Sequence, residues 1–202
     1  MTRSLLIATH NAGKVREISA LLAATPWQCV GLPEGTPDFV EDGATFAENA
    51  RGKALFYADR VGMAALADDS GLIIDALGGE PGIYSARYID PAITQAERNE
   101  RVLEKLASTP AESRTARFTC HLVLAVPGRV VHETTGTCEG RITEQICGDG
   151  GFGYDPIFTP AGSGRTFAQI DRAAKAQLSH RGKAVRTMIG FLQTWGPSIG
   201  VS

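Results

Sequence analysis

The sequence has no C-x-x-C pair, no run of basic residues, no Walker A signature and no long apolar stretch. Each absence closes off a class of function. The four cysteines, Cys29, Cys120, Cys138 and Cys147, stand far apart, which removes a zinc-site reading and leaves free thiols in a reducing compartment. There are 20 basic and 22 acidic side chains, for a formal net charge of −2. Without clustered Lys and Arg, a nucleic acid polymer is not an expected partner. A small phosphate ligand needs only a few local cations and stays open. No segment approaches the roughly 20 residues of a membrane span, and the apolar stretch after Met1-Thr2-Arg3-Ser4 is too short for a signal sequence. A cytoplasmic chain without a membrane partner is therefore expected. No repeat, low-complexity segment or long linker divides the 202 residues, a length that suits one large domain or two small lobes.

What is present is apolar residue, at 43%, and glycine, at 23 positions. The first is enough for a real core. The second marks several sharp turns or close approaches to a ligand. Ser4–Ala8 reads as a buried strand that breaks at Thr9–Gly13. From Lys14 a helical pattern follows, with Val15, Ile18, Leu21 and Leu22 on one face, ended by Pro26. A Pro/Gly-rich stretch, Gly31–Gly43, carries Glu41 and Asp42. Thr45-Phe46-Ala47-Glu48 reads as a capping box opening a helix to about Val61, stopped by Gly62. Ala64–Ala67 is a short apolar strand ending on Asp68-Asp69-Ser70-Gly71. Leu72–Leu77 is a further strand, and Gly78–Gly82 a loop. Thr94–Glu97 is a second capping box, for a helix through about Leu106. Arg117–Val126 and Val130–Thr137 form a hairpin about Pro127-Gly128-Arg129. Gly148–Asp155 is a glycine-rich loop, and Lys175–Trp195 a largely helical tail stopped by Gly196-Pro197. Early alternation of strand and helix, followed by a hairpin, points to an α/β fold with a mixed sheet.

Four segments carry possible chemistry. Thr9-x-Asn11-x-x-Lys14 puts a hydroxyl, an amide and an ammonium at a helix start, where backbone N–H groups and the helix dipole favour a polyphosphate. It reads equally as an ordinary strand-to-helix turn. Asp68 and Asp69 are adjacent at the end of a predicted buried strand, where α/β sheets bind ligands. Two such acids repel each other unless a cation intervenes, and Mg²⁺ takes one or two carboxylates together with waters and substrate phosphates. Glu41 is a candidate third carboxylate. Asp-Ser-Gly is also plain turn chemistry. In Gly150–Asp155, Phe152 lies between glycines and reads either as a stacking surface for a flat ligand or as a core anchor. In Ser179-His180-Arg181-Gly182, His and Arg start a helix together, a weak signal alone. Pro81–Tyr88 mixes apolar and cationic groups in a loop.

Together these segments resemble the inosine/xanthosine triphosphate pyrophosphatase family, hydrolases of non-standard purine nucleoside triphosphates. The matching pieces run in order: Thr9–Lys14, Glu41–Ala50, Ala67–Leu72, Leu77–Tyr88, Gly150–Phe158 and Ser179–Gly182. They span almost the whole chain. The one local departure is His10, where the family places glycine. The resemblance implies an elongated fold with a long central mixed sheet flanked by helices. It implies one domain, 1–202, of two lobes with a nucleotide cleft between them, and a homodimer. It assigns Asp69 as general base and metal ligand, and Glu41 as second ligand of Mg²⁺. Thr9, His10, Asn11, Ala12, Gly13 and Lys14, joined by Ser70, would bind the triphosphate. Phe152, Gly153, Tyr154, Asp155, Lys175, His180 and Arg181 would bind the nucleoside end. The implied activity is cleavage of ITP, dITP or XTP to monophosphate and pyrophosphate. The rivals are a Maf-type nucleotide pyrophosphatase and a nucleotide-binding regulator without turnover.

Overall fold

The computed structural model describes residues 3–195. Its frame is one six-stranded mixed sheet in the order β2-β1-β3-β4-β5-β6. Strand β1 (Arg3–Ile7) lies parallel to β2 (Trp27–Val30) on one side and β3 (Ala65–Ile74) on the other. The remaining pairings are antiparallel: β3 with β4 (Thr115–Val126), β4 with β5 (Arg129–Ile142), and β5 with β6 (Phe158–Pro160). Among the described residues the α-helices are α1 (Ala12–Leu22), α2 (Phe46–Val61), α3 (Gln95–Lys105), α4 (Arg172–Leu178) and α5 (His180–Thr194). Among the described residues no helix is long and apolar enough to cross a membrane.

The two-residue period of the strands divides the core into faces. Leu5, Ile7, Leu66, Leu122 and Leu124 point to one side, where Ile18 and Leu22 of α1 and Val185, Met188 and Leu192 of α5 cover them. Leu6, Ala65, Ala67, Val123 and Ala125 point to the other, against Ala50, Ala54, Tyr57 and Ala58 of α2. A third cluster forms where β3, β4 and β5 run on beyond β1. There Leu72, Ile74, Phe118 and Ile142 meet Val102 and Leu106 around α3, with Ile157, Phe158 and Phe167.

Several expectations are corrected. The segment Asp68-Asp69-Ser70-Gly71 is not a turn. It runs through the middle of β3, which pairs with β4 without a break from Ala65 to Ile74. Ten consecutive pairings outweigh local turn preference, as tertiary context commonly does. No separate strand spans Leu72–Leu77: its first three residues finish β3, and Asp75–Leu77 is a single 3₁₀ turn ended by left-handed Gly78. β5 outlasts its expected end at Thr137, and the short edge strand β2 has too little pattern to read from sequence. The tail is two helices, broken at Ser179, whose extended backbone lets its hydroxyl accept from Gly182 N and start α5. Gly196-Pro197 lies outside the described residues. The box at Thr94 is complete. At Thr45 the hydroxyl accepts from Glu48 N, but Glu48 reaches back to Ala44 N, one residue beyond the cap.

Candidate active site

β1 stops at Ile7, opposite Leu66, and the chain turns away through Thr9–Asn11 into α1. β3 continues past that point, met on this side only by an isolated bridge from Ile73 to Pro81 near its end. The acid pair therefore does lie beyond a strand's C-terminal end, but the strand is β1 rather than its own. Here a cleft of about 440 Å³ opens. Because neighbours on a strand face opposite ways, Asp68 points towards α1 and α5 while Asp69 points towards α2.

Asp68 is wholly buried and fully engaged. Lys14 Nζ pairs with its Oδ1, which also accepts from Ser70 Oγ at 3.0 Å. Its Oδ2 accepts from Arg181 Nε at 3.1 Å and Cys120 Sγ at 3.0 Å. Burial works against its charge, yet Arg181 and then Lys14 hold the carboxyl well below the usual carboxylate range. Its main-chain oxygen accepts from Lys53 Nζ at 3.2 Å and Lys14 Nζ at 3.4 Å.

Asp69 is the opposite case. Burial pushes its carboxyl above the ordinary value, with Lys53 and Lys14 pulling the other way. Oδ1 accepts from Ser70 N at 3.1 Å, whereas Oδ2 is buried with no partner. Glu41, on the loop ahead of α2, ion-pairs with Lys53 and approaches Arg87 at 3.5 Å. Burial opposes ionisation of Glu41, but Lys53, Lys14 and Arg87 together hold it below its usual value. Among the described residues no three His, Cys, Asp or Glu side chains form a ready-made metal cage. An orphaned carboxylate oxygen with a second carboxylate on the same cleft is nonetheless the donor set Mg²⁺ uses when phosphates and waters fill its other positions.

At the far end, Lys175 lies buried between Glu17 at 2.7 Å and Asp155 at 2.5 Å. Arg181 is buried too, with Nη1 on Glu17 at 2.6 Å and Nη2 on Ser70 Oγ at 2.8 Å. The Lys175 ammonium and the Arg181 guanidinium lie 4.7 and 5.6 Å from the centre of the Phe152 ring, within range of a cation–π attraction. Phe152 is carried between left-handed Gly151 and Gly153, a backbone only glycine adopts without strain, and its N–H donates to Asp155 Oδ2 at 2.7 Å. Gly153 O accepts from Asn99 Nδ2 at 3.1 Å, and Tyr154 OH donates to Ser85 O at 2.8 Å. His180 stacks on Phe118 at 4.7 Å, and its Nδ1 is buried without a partner. Burial and then Arg181 push its pKa well below the usual imidazole value, so the ring is neutral.

The cleft thus brings together Thr9, Asn11, Lys14, Glu41, Asp69 and Ser70 with Phe152, Gly153, Tyr154, Asp155, Lys175, His180 and Arg181. It does not include His10, Ala12 or Gly13. His10 faces outward beside Asp38 and the Tyr57 ring. Ala12 is the first residue of α1, and Gly13 borders a second cavity of about 170 Å³ behind Phe152. The start of α1 is also less open than a bare helix end. Asn11 Oδ1 accepts from Gly13 N and Lys14 N, and Thr9 Oγ1 from Asn11 N, so the first turn enters the site through side chains and dipole. Lys53 and Glu17 escaped the sequence reading. Lys53 had a signal, being a lysine in register with Ala50, Ala54 and Tyr57 on the buried stripe of α2. Glu17 had none.

The Ham1 family pattern matches residues 5–191. The chain is 49% identical over 191 residues to a dITP/XTP pyrophosphatase of Gloeobacter violaceus, covering 94% of each. It is 47% identical to a dITP/XTP pyrophosphatase of Thermus thermophilus, covering 98% of this chain and 96% of that one. The solved HAM1 protein from Coxiella burnetii superposes with a TM-score of 0.86 at 37% identity, over 96% of this chain and all of that one. With both sequence and fold in agreement along nearly its whole length, the chain belongs to the Ham1 family.

Proposed function

We propose that this chain is a nucleoside triphosphate pyrophosphohydrolase, cutting non-standard purine triphosphates such as dITP, XTP and ITP to the monophosphate and pyrophosphate. The observation that carries it is the split acid pair. One carboxylate is neutralised behind the cleft by Lys14 and Arg181. The next lines the cleft with one buried oxygen left unpartnered, and the same cleft carries the Phe152 ring with the cations Lys175 and Arg181 beside it. The names of the relatives agree with this reading.

Asp69 is the general base in this scheme. Ser70 N holds Oδ1, so Oδ2 is presented at a fixed angle to take a proton from the water that attacks the α-phosphorus. Asp69 and Glu41 are also the residues that would hold Mg²⁺, which supplies charge neutralisation at the phosphate oxygens when bound. Lys14 and Lys53 add fixed positive charge as the anionic leaving group departs. Lys175, Arg181 and His180 face the base from the Phe152 end. Their N–H donors suit an oxygen at purine C6 and leave an adenine amino group unmatched. One two-lobed domain, a homodimer and a cytoplasmic setting complete the reading.

The test is pyrophosphate release from ITP, dITP, XTP, GTP and ATP, with and without Mg²⁺, by wild type and Asp69→Asn. Metal-dependent release fastest from the non-standard purines is expected. Asp69→Asn should lose about 10²–10⁴ in kcat with its fold intact. Tight nucleotide binding with no turnover by wild type would favour a regulator, and a preference for other nucleotides a Maf-type enzyme.

A further inference from the structure

Four side chains donate to the Asp68 carboxylate, and three of them also reach the cleft: Lys14, Ser70 and Arg181. The fourth, Cys120, does not. It sits on β4 directly opposite Ser70 in register, and so diagonally from Asp68 on the same face of the sheet. The carboxylate is therefore gripped once on each oxygen by a donor rooted in the sheet, Ser70 on Oδ1 and Cys120 on Oδ2. Its terminal torsion is otherwise soft. The other position on each oxygen goes to a long cation from a helix, Lys14 from α1 and Arg181 from α5.

We infer that Cys120 is a positioning residue for the phosphate end of the cleft: with Ser70 it fixes the plane of the Asp68 carboxylate, and through that plane it sets where Lys14 presents its charge to the phosphates. A thiol suits this place. It is compact enough for a fully buried strand position. Burial, and then the carboxylate itself, push its ionisation far up, so it remains an S–H donor and adds no second negative charge beside Asp68.

The inference rests on the pyrophosphatase reading and extends it to a residue that touches no substrate. Three variants separate a donor from a space-filler. Cys120→Ser keeps a donor, Cys120→Val keeps apolar volume without one, and Cys120→Ala keeps neither. Each is compared with wild type for kcat and KM on ITP, for IMP affinity and for Tm. Activity of the parent tests the underlying reading separately. Losing a hydrogen bond to a buried charged group should lower kcat/KM by about five- to tenfold in Val and Ala, with IMP affinity changed less. Ser should come within about twofold of wild type. Thermal stability should rank the other way, with Val above Ser, so that activity and stability part company. Wild-type kinetics in Cys120→Val, or a Cys120→Ser enzyme as slow as Val, overturns the inference. If Ala does not fold, the Ser and Val pair decides.

Discussion

Asp68 and Asp69 have the same side chain and adjacent places on one strand, yet the sheet puts them in opposite chemical states. Asp68 faces Arg181 and Lys14 and is held ionised, while burial raises Asp69, whose buried Oδ2 has no partner. Their adjacency was legible, but their division of labour was not, because it follows from which helix covers which face. His180 shows a similar effect of place. Burial and Arg181 keep the folded ring neutral, whereas the unfolded chain takes a proton at about pH 6.5. Below that pH the unfolded state binds more protons, so stability falls as pH falls through this range. His180→Phe preserves the stack on Phe118 and removes the proton. Denaturant unfolding from pH 7 to pH 5 should show the variant losing less stability than wild type, by up to about 1.4 kcal/mol per pH unit. Parallel curves would mean His180 is not the group that titrates.

At the scale of elements, the site depends on how closely α5 lies on β5. Gly136 is the contact. A Cβ there would fall inside van der Waals distance of His180 O and Ala184 N, both backbone atoms that move only with the helix. Two positions earlier, Thr134 Oγ1 donates to Ala184 O at 3.0 Å and fixes the same approach. Gly136→Ala should push the start of α5, with His180 and Arg181, away from the cleft. Overpacking of this kind costs about 1–3 kcal/mol, or several degrees of Tm at this size. Activity should fall further than the lost stability accounts for, and the base preference should weaken. An unchanged ITP/ATP ratio in a cooperatively folded Gly136→Ala protein would show that α5's exact seat does not matter. Neither Gly136 nor its role could be read from the sequence, since a glycine in a long strand pattern looks like a bulge or a weakness. The capping signals at Thr45 and Thr94 were legible because they are local. The run through Asp68–Gly71 was misread as a turn because what overrides it is pairing with β4, some fifty residues away.

For the whole molecule, the mixed α/β class and the identities of most cleft residues were visible as ordered fragments, from Thr9 to Arg181. What the fragments lacked was the geometry joining them. Glu17 carries no motif, yet it ties Lys175 to Arg181. Lys53 was visible only as an ammonium on an apolar stripe, although it reaches both Glu41 and the Asp68 carbonyl. On the proposed reading, the cleft would join a water-activating carboxylate to a polyphosphate site and a base-reading wall, and that reading makes one demand on the chemistry: the attacked atom is the α-phosphorus. Single-turnover hydrolysis of ITP in ¹⁸O-labelled water tests this directly. The account predicts one labelled oxygen in the inosine monophosphate and none in the pyrophosphate. Label in the pyrophosphate, or release of inosine diphosphate and inorganic phosphate, would contradict it.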